Sequence, residues 1–470
     1  MRGFLASSVG VTCAAALALP LALPATPAQA GPSRRTSETA LPGSTQSLPL
    51  VPLTRRRSLG PTASAQGLTR RDVRPFSLVG VVWDDPDAEL HGRVQVRTRA
   101  TGTGDWSPWQ DLEAHNDEHA ADPDTAESAS GRAHGSTAPL WVGDSDGVEV
   151  RVEAEREARE AAYGPDREED AGEDPEGGRA AAAPLPGGLR LELVDPGGDP
   201  PDRDERTAGT AGRAGSAPSG LRARSMRGSA HAGVKDGKSA RANVIPALSR
   251  GETERTYFPG GKAERRVAPY IGPRPRIVTR HGWGANENLR ERGFLYTRTV
   301  KAAFVHHTAS GNKYACSQVP SVIRSIYRYH VVSSGWRDIG YNFLVDKCGN
   351  IYEGRAGGVT KAVMGAHTRG FNTNSMGIAV IGTFGATKPT DAALKAISRL
   401  TAWKLGLYGA NPRGKTYLKS AGGNLYRKGK NVRLNVISGH RDGFATECPG
   451  RLLYGKLGSA RTTAARYQGR

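Results

Sequence analysis

The segment TVKAAFVHHTA, residues 299–309, is the first clear buried β-strand in the apolar C-terminal part of this 470-residue chain. Its run of apolar residues has the length of one strand, and it ends in two adjacent histidines. Successive side chains of a strand point to opposite faces, so Ala302, Phe304 and His306 share one face and His307 lies on the other. Only one of the two histidines can therefore point toward a given site.

The segments that follow this strand alternate between helix and strand patterns. Helices are predicted for residues 317–336, 390–409 and the C-terminal segment from 448. Strands are predicted at 341–346 and 351–355, which form a hairpin, and at 375–384 and 431–440. This order predicts an α/β domain over residues 268–465, in which a mixed β-sheet is flanked by helices.

The N-terminal half has a different pattern. Short runs with a period of two, bounded by Gly, Asp and Pro, predict a smaller all-β domain over residues 72–196. Acidic, Ala-rich segments near 114–136 and 155–183 interrupt it and read as loops or disorder. Residues 31–71 are predicted to be a disordered lead-in. Residues 197–267, rich in Gly, Ala, Ser, Arg and Lys, are predicted to be a flexible basic linker.

Residues 1–30 have the pattern of an export signal. An apolar run follows Arg2 and ends at Ala28-Gln29-Ala30, the small-x-small pattern of signal-peptidase sites. The run is short and broken by prolines, which disfavours the alternative of a permanent membrane anchor. We therefore expect a secreted, cell-wall-associated protein without a stable membrane span after cleavage.

The chain is basic, with a formal net charge of +19. Such a charge suits an anionic wall polymer, with the basic linker as the contact, although a solvated basic surface is the simpler interpretation. No basic patch is interleaved with aromatic residues in the way that stacks nucleobases, so we expect no nucleic-acid partner. We also expect a monomer.

The cysteines are odd in number once the predicted leader is removed. Of the four in the chain, Cys13 lies in the leader, and three remain. Cys316 and Cys348 lie in loops at the ends of predicted elements, so we predict a disulfide between them. This leaves Cys448 unpaired, and it follows His440, at the end of the last strand, after a seven-residue loop.

Imidazole and thiolate groups are ligands that suit zinc. Two histidines and one cysteine leave the fourth tetrahedral position for water, which is typical of a catalytic rather than a structural zinc site. The ion would lower the pKa of that water and polarise a bound carbonyl. His-x7-Cys alone is a weak pattern that also arises by chance in a loop. The strand-end histidine and the odd cysteine strengthen the zinc hypothesis.

Five segments resemble, in order, the peptidoglycan recognition protein family, which includes zinc-dependent N-acetylmuramoyl-L-alanine amidases. They are RHGWGA (280–285), FVHHTA (304–309), YHVVSSGWRDIGYNFLVDKCGNIYEGR (329–355), GAHTRGFNTNSMGIAVIGTF (365–384) and GHRDGFATECPG (439–450). The resemblance covers about residues 270–460 and implies the amidase fold, with Zn²⁺ held by His306, His440 and Cys448. It also implies hydrolysis, by zinc-bound water, of the amide between N-acetylmuramic acid and L-alanine of the stem peptide.

The resemblance assigns further roles within this site. Tyr341 is expected to orient the attacking water and to stabilise the oxyanion formed from the scissile carbonyl. Thr446 stands where phage-type amidases carry a lysine, and its hydroxyl can donate a hydrogen bond but brings no charge. The predicted contacts with a muramyl peptide are His330, Asn342, His367, Arg369 and Asn372. His330 also falls on the apolar face of its helix, so a buried core histidine is the alternative there.

The main alternative function is a recognition protein that binds peptidoglycan without cutting it. Members of the family that do not cut typically lack the metal cysteine or the tyrosine, and this chain has both, which favours an enzyme. A zinc peptidase is disfavoured because the HExxH pattern with its general-base glutamate is absent from the sequence.

Overall fold

The computed structural model describes residues 42–53, 65–114, 118–155, 184–199, 242–259 and 269–470. The predicted export signal and most of the predicted basic linker lie outside these ranges. Among the described residues, no helix combines the length and the apolar character needed to cross a bilayer.

The N-terminal part is an all-β domain, as predicted. Its described strands are β1 (Ser44–Pro49), β2 (Val51–Pro52), β3 (Ala65–Trp83), β4 (Gly92–Ala100), β5 (Gln110–Leu112), β6 (Gly135–Ser136), β7 (Leu140–Ala154) and β8 (Arg190–Asp195). In the described chain they form one eight-stranded sheet in the order β1-β8-β3-β7-β4-β5, with β2 and β6 paired to β3. Alternate residues in the second half of β7 are buried, which explains the period of two in that part of the sequence, whereas the four central residues of β8 are all buried.

This sheet begins earlier than the predicted boundary at residue 72. β1 pairs antiparallel with β8, and the first residues of β3 pair with β7. The segment STQSLP has little apolar alternation because β1 is the edge strand of the sheet and is only half-buried. Backbone hydrogen bonds to β8, together with the packing of Leu48 against the core, therefore hold it in the sheet.

The C-terminal part is a mixed α/β domain, also as predicted. Its described elements are β9 (Val244–Ile245), α1 (Arg250–Tyr257), β10 (Ile277–Val278), β11 (Ala302–His307), α2 (Val319–Arg328), β12 (Phe343–Val345), β13 (Ile351–Glu353), β14 (Ser375–Val380), α3 (Asp391–Leu407), β15 (Lys415–Lys419), β16 (Asn431–Asn435), β17 (Ile437–Gly439), α4 (Arg451–Tyr454) and α5 (Leu457–Gln468). The main sheet has the order β17-β11-β14-β12-β13-β10-β9, and β15 and β16 form a separate hairpin.

Parallel pairing dominates the centre of the main sheet. β11 runs parallel to both β14 and β17, and β12 runs parallel to β14, whereas β12 and β13 form the predicted antiparallel hairpin. Apolar side chains of α3 and α5 pack on one face of the sheet, and those of α2 pack on the other. With both faces covered, β11 and β14 are buried along their whole length.

Two local predictions differ from the structure. The single strand predicted over 431–440 is divided at Val436 into β16, which pairs with β15, and β17, which joins the main sheet. The predicted flexible linker contains β9 and α1 near its end. Ser249 and Glu252 form a capping box that starts α1, and β9 pairs with β10 at the edge of the main sheet.

The two sheets share an apolar core. Leu78, Val82, Trp141 and Val194 of the N-terminal domain belong to the same buried cluster as the apolar face of α2. Directly after α2, the Tyr329 hydroxyl donates a hydrogen bond to the carbonyl of Thr137 at 3.0 Å, and Ser333 Oγ donates to Glu192 at 2.8 Å. The all-β domain is therefore packed against the α/β domain rather than only tethered to it.

Candidate metal centre and groove

Two of the predicted ligands lie at the carboxyl ends of adjacent parallel strands. His306 is the penultimate residue of β11, and His440 follows directly after β17. The register pairs Val305 with Gly439, so the two histidines emerge at the same edge of the sheet. Both are fully buried, and their ring centroids lie 4.5 Å apart. His307 points elsewhere, with its Nε2 3.7 Å from Glu113.

The loop after β17 brings the third predicted ligand to this pair. The backbone N–H of Cys448 donates to Thr446 Oγ1 at 3.0 Å, and the N–H of Arg441 donates to the Cys448 carbonyl at 3.0 Å. These bonds hold the Cys448 Sγ 3.8 Å from His306 Nδ1. Cys448 is buried and free, whereas Cys316 and Cys348 form the predicted disulfide.

A fourth residue that the sequence did not predict joins the cluster. His119 comes from the all-β domain, in the segment between β5 and β6, and its Nε2 lies 3.6 Å from Cys448 Sγ. Its ring centroid is 4.5 Å from that of His440 and 5.3 Å from that of His306. One ligand atom from each of the four residues lies within 4.8 Å of all the others.

The cluster fits a metal ion by geometry and by chemistry. Tetrahedral zinc separates its nitrogen and sulfur ligands by about 3.3–3.6 Å, close to the Cys448 contacts. Neither ring nitrogen of His440 makes a hydrogen bond of normal geometry within the described chain, although both are buried. Such orphaned donors and acceptors are costly unless a further group satisfies them.

Burial also sets the protonation states of the cluster. It lowers the pKa of His119, His306 and His440 well below the usual value, which favours the neutral imidazole that binds a metal. It raises the pKa of the Cys448 thiol well above its usual value, since an isolated thiolate there would be poorly solvated. A divalent cation at the cluster would reverse this penalty and stabilise the thiolate.

His367, whose predicted contact with a muramyl peptide stays a prediction, lies next to the cluster. Its Nδ1 is 3.3 Å from His306 Nε2 and 3.0 Å from Thr368 Oγ1, and its Nε2 is 3.4 Å from Ser375 Oγ. The side chain is fully buried, and burial lowers its pKa to about 3. This position suits a residue that orients His306 through the nitrogen that does not face the metal.

The two predicted catalytic side chains border the cluster. The Tyr341 ring centroid lies 5.6 Å from that of His306 and 5.7 Å from that of His119, and burial raises the pKa of its phenol. Thr446 Oγ1 donates a hydrogen bond to Glu118 Oε1 at 2.9 Å. The hydroxyl expected to act on substrate is thus engaged with the residue that precedes His119.

Two predicted substrate contacts are buried within the α/β domain. The His330 ring lies 4.4 Å from that of Trp336, and its Nδ1 accepts a hydrogen bond from the Gly340 N–H at 3.3 Å. Asn342 connects β12 with its surroundings, because its Oδ1 accepts from the Gly377 N–H and its Nδ2 donates to the Val363 carbonyl. Their contact with a muramyl peptide remains a prediction.

Two more of the five predicted substrate contacts, Arg369 and Asn372, are bound by residues 118–127, which we call the inserted segment. The Arg369 N–H donates to the Glu118 carbonyl at 2.9 Å. Asn372 Nδ2 donates to the Ala120 carbonyl at 2.9 Å and to Asp122 Oδ1 at 2.7 Å. The Arg369 guanidinium also pairs with Asp87 at 2.8 Å, so the all-β domain engages it twice.

An open cleft of about 540 Å³ lies beside the cluster. Its lining includes Glu113 and Glu118 from the all-β domain and Phe444, Thr446 and Glu447 from the α/β domain. Burial raises the pKa of Glu113 to about 7, with a smaller contribution from Glu447. Thr446 and Glu118, which are hydrogen-bonded to each other, both line this cleft.

A mixed sheet flanked by helices, with two histidines and a cysteine at its carboxyl edge, defines the class of amidases and peptidoglycan recognition domains. The Amidase_2 family, described as N-acetylmuramoyl-L-alanine amidase, matches residues 296–451, and a family described as Rv3811 N-terminal galactose-binding domain-like matches residues 29–178. The chain belongs to the family of peptidoglycan-recognition proteins and N-acetylmuramoyl-L-alanine amidases.

Named relatives cover the α/β domain. Peptidoglycan-recognition protein SC2 of Drosophila simulans is 30% identical over 184 residues, 38% of this chain and 84% of the relative. The N-acetylmuramoyl-L-alanine amidase of Homo sapiens is 32% identical over 186 residues, 39% of this chain and 28% of that longer protein. The solved structure of peptidoglycan recognition protein-LE with tracheal cytotoxin is 33% identical, covers 39% of this chain and 92% of that one, and has a TM-score of 0.30.

Proposed function

We propose that this protein is a zinc-dependent N-acetylmuramoyl-L-alanine amidase. The observation that carries the proposal is the convergence of His306, His440 and Cys448, three residues from distant parts of the chain, at one buried point. The family includes both amidases and binding proteins, so family membership supports peptidoglycan as the ligand but does not by itself decide between cutting and binding.

Zinc held by these three residues would supply a Lewis acid that activates water and polarises the scissile carbonyl. The protein's own residues account for the remaining requirements. Tyr341, at the border of the cluster, would orient the water and donate to the developing oxyanion through its phenol, which its raised pKa keeps protonated at neutral pH. Thr446 would donate its hydroxyl to the same oxyanion once it is released from Glu118.

The substrate we propose is the amide between N-acetylmuramic acid and L-alanine of the peptidoglycan stem peptide. His367 would act as a positioning residue that holds the His306 ring. Arg369 and Asn372 lie along the polar surface now covered by the inserted segment and would contact the muramyl peptide. His330 and Asn342 would act from behind this surface. Export to the cell wall, with the basic regions contacting anionic polymers, completes the proposal.

A peptidoglycan-binding protein without activity is the second candidate. It is favoured by one observation, the occupation of the site by His119 from the all-β domain, which would leave no open position on the metal. The presence of Cys448 and Tyr341 at the cluster favours the enzyme.

The test is digestion of purified peptidoglycan, with mass analysis of the products and measurement of bound zinc. We expect peptides with a free N-terminal alanine, released from intact glycan strands, and loss of this activity on chelation and in His440→Ala. His281→Ala is the matched control, because that histidine is exposed in the same domain and contacts Asn243 rather than the cluster.

Two results would overturn the assignment. One is cleavage within the glycan or between amino acids of the peptide. The other is peptidoglycan that is bound but left intact both by the chain and by a His119→Ala variant, in which the fourth position of the cluster is open. The second result would identify a binding protein.

A further inference from the structure

We propose that the inserted segment, residues 118–127, is an internal occupant of the metal centre, with His119 as the fourth metal ligand, and that it keeps the groove closed until it is displaced. This inference rests on the proposed function only for the identity of the substrate that competes with the segment. The contacts that support it involve the two domains of one chain and are independent of any reaction.

His119 occupies the position that a catalytic site needs for water. Three protein ligands leave one tetrahedral position open, whereas four close the site in the manner of structural zinc. The His119 Nε2 lies 3.6 Å from Cys448 Sγ, a separation typical of two ligands on one zinc ion. No other described residue of the all-β domain belongs to the cluster. With His119 bound, neither water nor a substrate carbonyl can reach the ion.

The residues beside His119 occupy the polar groups predicted to act on substrate. Glu118 accepts the Thr446 hydroxyl through its carboxylate and the Arg369 N–H through its carbonyl. The Ala120 carbonyl accepts from Asn372 Nδ2 at 2.9 Å. A muramyl peptide that used Thr446, Arg369 or Asn372 would have to replace each of these contacts.

Asp122 anchors the middle of the segment. Its Oδ1 accepts hydrogen bonds from the Gly370 N–H at 2.9 Å, the Asn372 N–H at 3.1 Å and Asn372 Nδ2 at 2.7 Å, and Oδ2 accepts from Thr373 Oγ1 at 3.4 Å. The residue is 2% exposed. A buried carboxylate is costly unless its oxygens are satisfied, and here all four of these donors belong to the α/β domain.

Glu127 anchors the end of the segment. Both its oxygens pair with the Arg355 guanidinium, at 2.8 and 2.9 Å, and the Arg337 N–H donates to Oε1 at 3.3 Å. The two charged side chains are each 5% exposed. This is the bidentate geometry in which an Arg–carboxylate pair is strongest. The segment is therefore fixed at three points along the groove.

The inserted segment leaves the all-β sheet after Glu113 and the chain returns to the sheet before Ala138, and we call these two adjacent residues the neck. β5 ends at Leu112 and β6 starts at Gly135, and the Ala138 N–H donates to the Glu113 carbonyl at 2.9 Å across the two ends. The segment can lift from the groove while this neck stays in the sheet. Displacement therefore does not require the two domains to separate or their shared core to open.

The first experiment measures the fourth ligand directly. Zinc in the full chain is replaced by Co²⁺, and azide is titrated while the visible absorption of the cobalt is recorded. In the wild type, we expect a four-coordinate spectrum that changes only at high azide. If the segment is displaced in one molecule in a hundred, His119→Ala should bind azide about 100-fold more tightly. His91→Ala, an exposed histidine of the same domain, should match the wild type.

The second experiment follows the metal-free protein. Cys448 is the free cysteine of the described chain and is fully buried, so its alkylation by iodoacetamide reports opening of the segment. Asp122→Asn keeps the side-chain volume but removes the charge that holds the segment, and it should accelerate alkylation at least tenfold. Circular dichroism would verify that each variant is folded. Acceleration in Asp122→Asn supports the proposal even if His119→Ala does not fold.

The inference fails if wild type and His119→Ala bind azide equally, or if Asp122→Asn leaves the alkylation rate of Cys448 unchanged. The peptidoglycan digestion described above separates this failure from failure of the proposed function. If His119→Ala binds azide more tightly than the wild type but cuts no peptidoglycan, the proposal that His119 occupies the site stands and the amidase assignment fails. If the wild type and His119→Ala cut peptidoglycan equally well and bind azide equally, the amidase assignment stands and the proposal that His119 occupies the site fails.

Discussion

Replacing Glu127 by glutamine should open the inserted segment without disturbing the rest of the fold. The substitution keeps the shape of the side chain but deprives the Arg355 guanidinium, which is 5% exposed, of the carboxylate that pairs with it directly. Breaking a buried ion pair in this way costs about 3–5 kcal/mol. Arg355 keeps a hydrogen bond to the Ile339 carbonyl at 2.9 Å, so we expect the lower end of this range.

About 3 kcal/mol corresponds to a roughly 150-fold change in the equilibrium between closed and open segment. Burial by itself would raise the pKa of Glu127, but the charge and hydrogen bonds of Arg355, together with the charge and the backbone N–H of Arg337, hold that pKa below its usual value. The carboxylate is therefore ionised at neutral pH, where the comparison is made. The rate of Cys448 alkylation in metal-free protein should rise by the same factor in Glu127→Gln.

The control for this prediction is Glu89→Gln. Glu89 also pairs with a neighbouring side chain, His91, but both are about half exposed, and exposed pairs contribute about 0–1 kcal/mol. A double variant that adds Arg355→Met should recover part of the loss, because it removes the unpaired charge. An alkylation rate less than about threefold above the wild type in Glu127→Gln would refute the assigned role of the pair.

Three further predictions concern single sites. Burial lowers the pKa of Lys404 to about 7 from 10.5, so the folded chain binds fewer protons than the unfolded chain between these values. The free energy of unfolding in urea should therefore rise from pH 7 to 9 by up to about 1.4 kcal/mol per pH unit more in the wild type than in Lys404→Met. The same pH dependence of this free energy in both proteins would contradict the prediction. Removing the Cys316–Cys348 disulfide, which spans 32 positions, should lower the free energy of unfolding in urea by about 3–4 kcal/mol. A loss below about 1 kcal/mol would contradict this prediction. His367→Phe should weaken zinc binding about 10–100-fold in competition with a chelating dye by releasing His306, and unchanged affinity would exclude a positioning role.

The α/β domain could be predicted from the sequence because its signals are local. β11 and β14 are continuous apolar runs, and such runs indicate strands buried on both faces. The positions of His306 near the end of β11 and of His440 directly after β17 also follow from local patterns, and the parallel pairing of these two strands brings the histidines together. Alternation along β11 correctly separated His306 from His307.

The contribution of the all-β domain to the site could not be predicted in this way. The inserted segment has no apolar periodicity, and its residues bind partners that lie up to 329 positions away in the chain. The only local signal was one histidine among acidic residues, which is equally typical of a solvated loop. Edge strands such as β1 and β9 were missed for a related reason, because they are held by backbone pairing and by few apolar side chains, among them Leu48 and Ile245.

The neck between β5 and β6 has a consequence for how the groove responds to its surroundings. Because occupant and groove belong to one molecule, dilution into the medium does not lower the local concentration at which they meet. A free peptidoglycan fragment would therefore compete poorly with the inserted segment, whose effective concentration at the groove is high. A dense cell wall, which presents many stem peptides side by side, would compete far better. The same protein would then be inactive in solution and active where peptidoglycan is concentrated.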